Sequence, residues 1–430
     1  MKDKFIKSTL ILMIGGVFTK LFSLIIRIYF TRVVGQDGLN IYSIIMPTFS
    51  LLVALCQLGF PVAIANVVAK GEKRGHNVMA SIIPVAIIIN LFLIFLTIIS
   101  ARFLANHLLH EPDAYYPIIA LSLVLPFISL SSIIRGYFFG KQQMLPHSIS
   151  NILEQLFKLF IVIIILPKVL VYGPVVTVTV YVLINIISEL ISIIIFLLFL
   201  PKGFKMKTTD LKPDLGTVKE VLSISIPSVG GRLIGNIGYF LEPIVLTAVM
   251  LFVGYSSEYI VTQYAIYSTF VIGVLVVPSF FITAISTALL PEISKQSSNK
   301  RRAHHILHRA MFFSFLLGLL ANIFFFFFGD IFLDVIFRTN EGFAYLRVLA
   351  IFFSLYYLEA PMASALQALG FAKYAMRTTL FGIIIKLLAT VLLSLFRIGI
   401  YSLIFAEIIF ILVIVILNYT KLHLVLKKRT

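Results

Sequence analysis

About a dozen ionisable side chains fall well inside the apolar stretches of this 430-residue sequence: Lys20, Arg27, Arg135, Glu154, Lys158, Glu189, Arg232, Glu242, Arg347, Glu359, Lys386 and Glu407. A charge held at the centre of a bilayer costs about 2.5–3.5 kcal/mol even on a lenient insertion scale. Twelve of them facing lipid would cost about 35 kcal/mol, well beyond the roughly 5–15 kcal/mol by which folded proteins are stable. They must therefore face protein, water or one another.

Helical spacing sorts them. Gly16, Lys20, Ser23, Arg27 and Thr31 fall three or four residues apart and make one polar stripe. Ser228, Arg232, Asn236 and Tyr239 make a second. Glu154 and Lys158 are four apart, the separation and order of an intrahelical ion pair. Arg135, Arg347 and Glu407 fall near the ends of their apolar runs, where a long side chain reaches the interface. Lys20, Arg27 and Arg232 have no acid one turn away on the same run, so their expected partner is an anionic group of a bound molecule or an acid on another helix. Lys20, Arg27, Arg232, Asn236 and Tyr239 are thus the candidate binding residues. Glu154, Lys158, Glu242, Glu359 and Lys386 are the candidate charge network or ion-coupling set. His304, His305 and His308 open a basic helical stretch and are read as a solvated face, so no metal site is expected. The sequence has no P-loop, H-E-x-x-H or G-x-S-x-G pattern. Its outer loops are short, and an enzyme is not expected.

The elements that must carry these residues follow from composition. Hydrophobic residues make up 60% of the chain and charged residues 12%, where a soluble domain carries about 25% charge. The fold class is an all-α polytopic membrane protein, because the apolar runs are continuous and lack the alternating dyads of a barrel. Twelve spans are predicted, at 8–33, 40–69, 78–103, 116–139, 148–167, 173–200, 219–245, 260–290, 305–328, 343–368, 376–396 and 399–420. Pro47 and the Gly59-Phe60-Pro61 step are expected to interrupt the second span, and Pro278 and Pro291 the eighth. Cys56 stands alone, which excludes an internal disulfide. The start, "MKDKFIKSTLILMIGGVFTK", lacks a small-residue cleavage site, so the first span is expected to remain.

A net charge of +17 would suggest nucleic acid for a soluble protein; here it is read as loop charge. Lys70, Lys73, Arg74, Lys141, Lys202, Lys205, Lys300, Arg301, Arg302, Lys373, Arg377, Lys421 and Lys428 all fall on one side of the predicted spans. The other side holds little beyond Arg102, Lys168, Arg338 and Arg397. By the positive-inside rule both termini are cytoplasmic. The basic linker at 201–220 separates two six-helix lobes, 1–200 and 221–430, and the lobes look alike. "FPVAIANVVAKGEK" pairs with "FFITAISTALLPEISK", and "YFFGKQQMLPHSISNILEQLFKLF" with "LQALGFAKYAMRTTLFGIIIKLLA". Gly140 then matches Gly370, and Lys158 falls close to Lys386. Duplicated bundles related by a pseudo-two-fold axis place the substrate path at the repeat interface.

Four blocks carry a family resemblance: "VVGQDGLNIYSIIMPTFSLLVALCQLGFPVAIANVVAKGEKRG" (33–75), "IIRGYFFGKQQMLPHSISNILEQLFKLF" (133–160), "SIPSVGGRLIGNIGYFLEPIVL" (225–246) and "VVPSFFITAISTALLPEIS" (276–294). They resemble the stage V sporulation protein B group, in the polysaccharide transporter branch of the multidrug/oligosaccharidyl-lipid/polysaccharide exporter superfamily. The resemblance implies the two-lobed V shape of lipid II flippases and of multidrug and toxin extruders, with alternating access. Larger members add two helices that groove a lipid tail. The resemblance also implies a flippase in the bacterial cytoplasmic membrane. Its expected cargo is an undecaprenyl-diphosphate-linked oligosaccharide or peptidoglycan precursor for the cell wall or spore cortex. Arg27 and Arg232 match the cationic cluster of the lipid II flippases. With Lys20 they would hold the diphosphate, while Asn236 and Tyr239 bond sugar hydroxyls. No cofactor is expected; the drive would come from the membrane potential or from a monovalent cation on Glu242 or Glu359. The expected partners are the lipid-linked substrate and membrane lipids, with no nucleic acid, and the protein is expected to be a monomer. Three alternatives stand beside this: a cation-coupled drug exporter of the same fold, a membrane glycan polymerase, and a non-transporting scaffold for wall or spore assembly.

Overall fold

The computed structural model describes residues 2–71, 75–201, 213–296 and 299–427. Most of the basic linker expected at 201–220 lies outside the described residues, as do Lys73, Arg74 and Lys428. All regular elements among the described residues are helical. In chain order they are α1 (Lys2–Gln57), α2 (Phe60–Lys70), α3 (Gly75–Phe103), α4 (Tyr115–Gly140), α5 (Leu145–Val169), α6 (Pro174–Leu198), α7 (Leu215–Phe252) and α8 (Ser257–Ala265). There follow α9 (Gly273–Leu275), α10 (Ser279–Lys295), α11 (Lys300–Phe337), α12 (Phe343–Tyr356), α13 (Glu359–Ala368), α14 (Ala372–Ser394) and α15 (Tyr401–Lys427).

Ten helical stretches among the described residues are long and apolar enough to cross a membrane, against twelve predicted spans. Two local features account for the difference. α1 runs for 56 residues, about 84 Å of helix against a hydrocarbon thickness of about 30 Å. At Gly35 its backbone leaves the helix (φ 73°, ψ 177°), a conformation that glycine adopts without steric cost, so α1 is two helices that meet at this kink, in the gap between the first two predicted spans. The eighth predicted span is broken instead. A π-helical segment, Ile266–Ile272, separates α8 from α9, and α10 restarts at Pro278. Proline supplies no N–H to the preceding turn, and neither piece is among the ten spanning stretches.

The other breaks are mixed against expectation. Gly59, in the left-handed region at φ 68°, ends α1 and starts α2 with Pro61 in its first turn, as the sequence suggests. Pro47, expected to interrupt, is carried inside α1. The tenth predicted span parts at Tyr357–Leu358, between α12 and α13, where Pro361 in the first turn of α13 leaves the Tyr357 carbonyl without its helical donor.

The chain forms two compact units, Met1–Asn236 and Ile237–Thr430, divided within α7. The first part of α7 belongs to the first unit because its side chains pack there. Val221 enters a core with Phe60, Ile64, Val67, Ile133, Phe138 and Phe196. Lys70 Nζ bonds Glu220 Oε1 at 2.8 Å. Gly140 lets α4 approach α2: a Cβ there would come within 2.6 Å of Val68 Cβ. The second unit is built on Leu289, Ile293, Leu307, Met362, Leu366 and Leu422. Outward faces are apolar. On α3, Ile88, Phe92, Phe95 and Ile99 are exposed at three- and four-residue intervals, a lipid-facing stripe.

Candidate functional site

In each unit the ionisable residues of the apolar helices converge. In the first, α5 supplies Glu154 and Lys158, α6 Asn185 and Glu189, α4 Ser131 and Arg135, and α1 Ser23. The first turn of α5 holds Pro146, which starts the helix without wasting a donor. The polar residues that follow then share a face at helical intervals.

The intrahelical Glu154–Lys158 bond suggested by the spacing does not form. Lys158 Nζ donates instead to Asn185 Oδ1 at 2.6 Å and lies over the Tyr181 ring, 5.4 Å from its centroid. Glu154 Oε1 accepts from Gln155 Nε2 at 3.1 Å, and Glu189 Oε2 accepts from Ser131 Oγ at 2.6 Å. Spacing puts two residues on one face, but partners on adjacent helices lie closer than the next turn. Arg135 is half-buried with its Nε unbonded, and its charge acts on Glu154 and Glu189. It belongs to this cluster rather than to the interface expected from its place near the end of its span.

The second unit is more tightly bound. Lys386 on α14 makes ion pairs with both Glu242 of α7 and Glu407 of α15. Two glycines one turn away permit it. At Gly238 a Cβ would stand 2.7 Å from Ile383 Cγ2, and at Gly382 2.9 Å from Ile414 Cγ1, so α7 and α15 both press against α14. The Phe410 ring lies 5.6 Å from Lys386 Nζ. Tyr267 Oη donates to Glu407 Oε2 at 3.4 Å, and the buried Tyr264 hydroxyl faces Glu242. Glu359 is electrostatically linked to Glu407. Glu407 was expected to reach the interface; it is 7% exposed, because its partner lies inward on α14. Tyr264, Tyr267, Asn185 and Gln155 were missed, although an amide in an apolar run is a signal that could have found Asn185.

The remaining candidates are less enclosed. Lys20 and Arg232 are exposed and Arg27, Asn236 and Tyr239 half-buried. Lys20 and Arg232 have no carboxylate at ion-pair distance among the described residues, and Arg232 Nη2 donates to Gln57 Oε1 at 3.3 Å. The charge of Arg27 acts on the phenols of Tyr42 and Tyr181. The first stripe is not uniformly open. Ser23 turns to α5, its Oγ 3.0 Å from Gln155 Oε1, and Thr31 is buried on the Ile28 carbonyl at 3.0 Å. Basic groups that retain donors are suited to a phosphate or carboxylate; an ammonium already shared by two carboxylates is not.

Apolar spanning helices in two units, each with its own buried charge cluster, define the class as a multi-pass membrane protein. Residues 5–297 match the family described as polysaccharide biosynthesis protein, and the chain belongs to that family. Residues 236–392 also match the family MatE. Stage V sporulation protein B of Bacillus subtilis (strain 168) is 32% identical over 401 residues, covering 90% of this chain and 77% of its own. Lipid II flippase MurJ of the same organism is 22% identical, covering 91% and 77%. Among solved structures, an inward-facing multidrug resistance MATE family transporter of the MOP superfamily superposes with a TM-score of 0.76 at 15% identity, over 96% of both chains. A MOP superfamily transporter from Pyrococcus furiosus gives 0.70 at 16% identity, over 100% of this chain and 97% of its own. The chain shares their fold.

Proposed function

We propose that the protein moves a lipid-linked oligosaccharide or peptidoglycan precursor, carried on undecaprenyl diphosphate, from the inner to the outer leaflet of the bacterial cytoplasmic membrane. Alternating access is the mode, with both termini cytoplasmic and the monomer as the working unit. One observation carries the reading: Lys20 and Arg232 present cationic groups from membrane-spanning helices without a carboxylate partner among the described residues. Kinship with a lipid II flippase supports it. Lys20, Arg27 and Arg232 bind the diphosphate, Arg as a planar fork and Lys as a point charge. Asn236 and Tyr239 bond the sugar hydroxyls, and the prenyl chain stays in lipid. Glu154 and Lys158 belong to the neighbouring charge network. No ATP is needed. Carrying one negative charge outward across 100 mV, inside negative, releases about 2.3 kcal/mol.

The test is the exposure of a fluorescent lipid-linked oligosaccharide in proteoliposomes, with and without an imposed potential. Transport is expected to rise with an inside-negative potential. Arg232→Ala is expected to abolish it while leaving expression and thermal stability unchanged; flipping at the native rate in that variant removes the residue from the site. A drug exporter of the same fold is the second reading, favoured by the carboxylates of the second unit and the structural likeness to multidrug transporters. In that case export of organic cations would proceed and the lipid would stay in place.

A further inference from the structure

We propose that Lys386 is the resident cation of the second unit, filling the place in which a monovalent metal ion would otherwise neutralise Glu242 and Glu407, and that the mobile ion of this unit is a proton carried by Glu359.

The first part rests on geometry. An ammonium has three N–H groups. Two are engaged by Glu242 and Glu407, on helices either side of α14. The third direction is closed by the face of Phe410, a favourable seat for a cation. The approach of α7 at Gly238 and of α15 at Gly382 fixes the stem of Lys386 between them. A metal ion entering here would have to expel a tethered charge of its own sign.

The second part rests on the charge balance. The cluster contains three carboxylates, Glu242, Glu359 and Glu407, and one ammonium. With every acid ionised it would hold two uncompensated negative charges in a buried site, a cost that proteins avoid by pairing or neutralising the group. Lys386 is already shared between Glu242 and Glu407. Glu359 makes neither a hydrogen bond nor an ion pair among the described residues, and so is the acid left to take a proton.

Two opposing influences meet at this carboxyl. Glu359 is the first residue of α13, where the unbonded N–H groups of a half-helix attract negative charge. Glu407, reaching it from α15, repels negative charge. α13 also packs against α10, α11 and α14. Of the charges on these helices, Lys386 joins the group through Tyr356 on α12, which interacts with Glu359, Glu407 and Lys386 together. The hydroxyl of Tyr264 faces Glu242 and that of Tyr267 donates to Glu407. Glu359 also follows the break at Tyr357–Leu358, and Tyr357 Oη donates to the Leu275 carbonyl in the broken eighth span. A change of charge at Glu359 therefore acts where the helices of this unit are least continuous.

The proposal stands apart from the identity of the cargo, and its test uses no cargo. The melting temperature of the purified full-length protein is measured in sodium, potassium and choline chloride at equal ionic strength. The native chain is expected to melt at the same temperature in all three. Lys386→Met, which leaves two carboxylates without a counter-ion, is expected to gain stability in sodium or potassium over choline. Saturable stabilisation of the native chain by an alkali cation, lost in Glu242→Gln, would overturn the first part, and this comparison decides it even where Lys386→Met fails to fold. For the second part, infrared difference spectra across a pH titration are expected to contain the carbonyl band of a protonated carboxylic acid, which Glu359→Gln removes. Persistence of the full band in Glu359→Gln overturns the assignment.

Discussion

Lys158 and Lys386 hold comparable places on α5 and α14, yet their surroundings differ in kind. In the first unit the ammonium meets an amide and an aromatic face, and the two acids, Glu154 and Glu189, take neutral donors from Gln155 and Ser131. In the second unit the ammonium is held by two carboxylates at once. The first arrangement spreads charge over dipoles that can turn, so each partner can be exchanged for water or for another group. The second is a closed ionic contact that nothing replaces without leaving a buried charge. A duplicated scaffold has thus produced one adaptable cluster and one locked cluster.

That contrast can be broken by substitution. Lys386→Met should have the largest effect, a loss of about 3–5 kcal/mol, because removing one member of a buried ion pair leaves the others uncompensated. Adding Glu242→Gln should recover part of it in denaturant or thermal unfolding. Lys158→Met should cost less, about 1–3 kcal/mol, since its hydrogen-bond partner is the neutral Asn185 and its charge acts on Glu154 and Glu189 without pairing directly with either. Equal losses for the two lysines would dissolve the distinction. Asn185→Asp sharpens it: with a carboxylate opposite Lys158, the coupling energy in a double-mutant cycle should grow toward that of Lys386 with Glu242. Gln57→Ala, which removes the partner of Arg232, should change stability by about 1 kcal/mol or less at this exposed site, with any effect appearing in transport.

A baseline comes from outside both clusters. Glu111, between α3 and α4, has its carboxyl pushed up by burial and then by Asp113. A carboxylate raised on folding stabilises the native state only while protonated, so that contribution is lost as pH rises through the acid range. Glu111→Gln should flatten this part of the stability–pH curve without touching either lysine.

Much of the architecture was legible in the sequence. Apolar run length announced the spans, and glycine and proline chemistry announced the breaks at Gly59 and Pro278. The cost of burying charge announced that the intramembrane lysines and glutamates would be paired or satisfied. What one chain could not reveal was which helices become neighbours. Glu154 and Lys158 have the right spacing for each other, yet each takes a closer partner. Glu407 reads as interfacial from its place in the run, but packing turns it inward to α14. Pro47 reads as a break, yet α1 absorbs it, whereas Pro361 parts α12 from α13 four residues upstream of itself, a break not expected from the sequence.

Gly238 and Gly382 have one more consequence. With no side chain on either, α14 comes close to α7 at one point and to α15 at another, and the ion pairs of Lys386 tie the three together there. Whatever flexing the second unit undergoes in a working cycle then falls first on its weaker seams, the π-helical turn at Ile266–Ile272 and the step at Tyr357–Leu358. A bulky residue at either glycine would work like a wedge in a hinge plate, slackening the junction where the cycle needs it stiff.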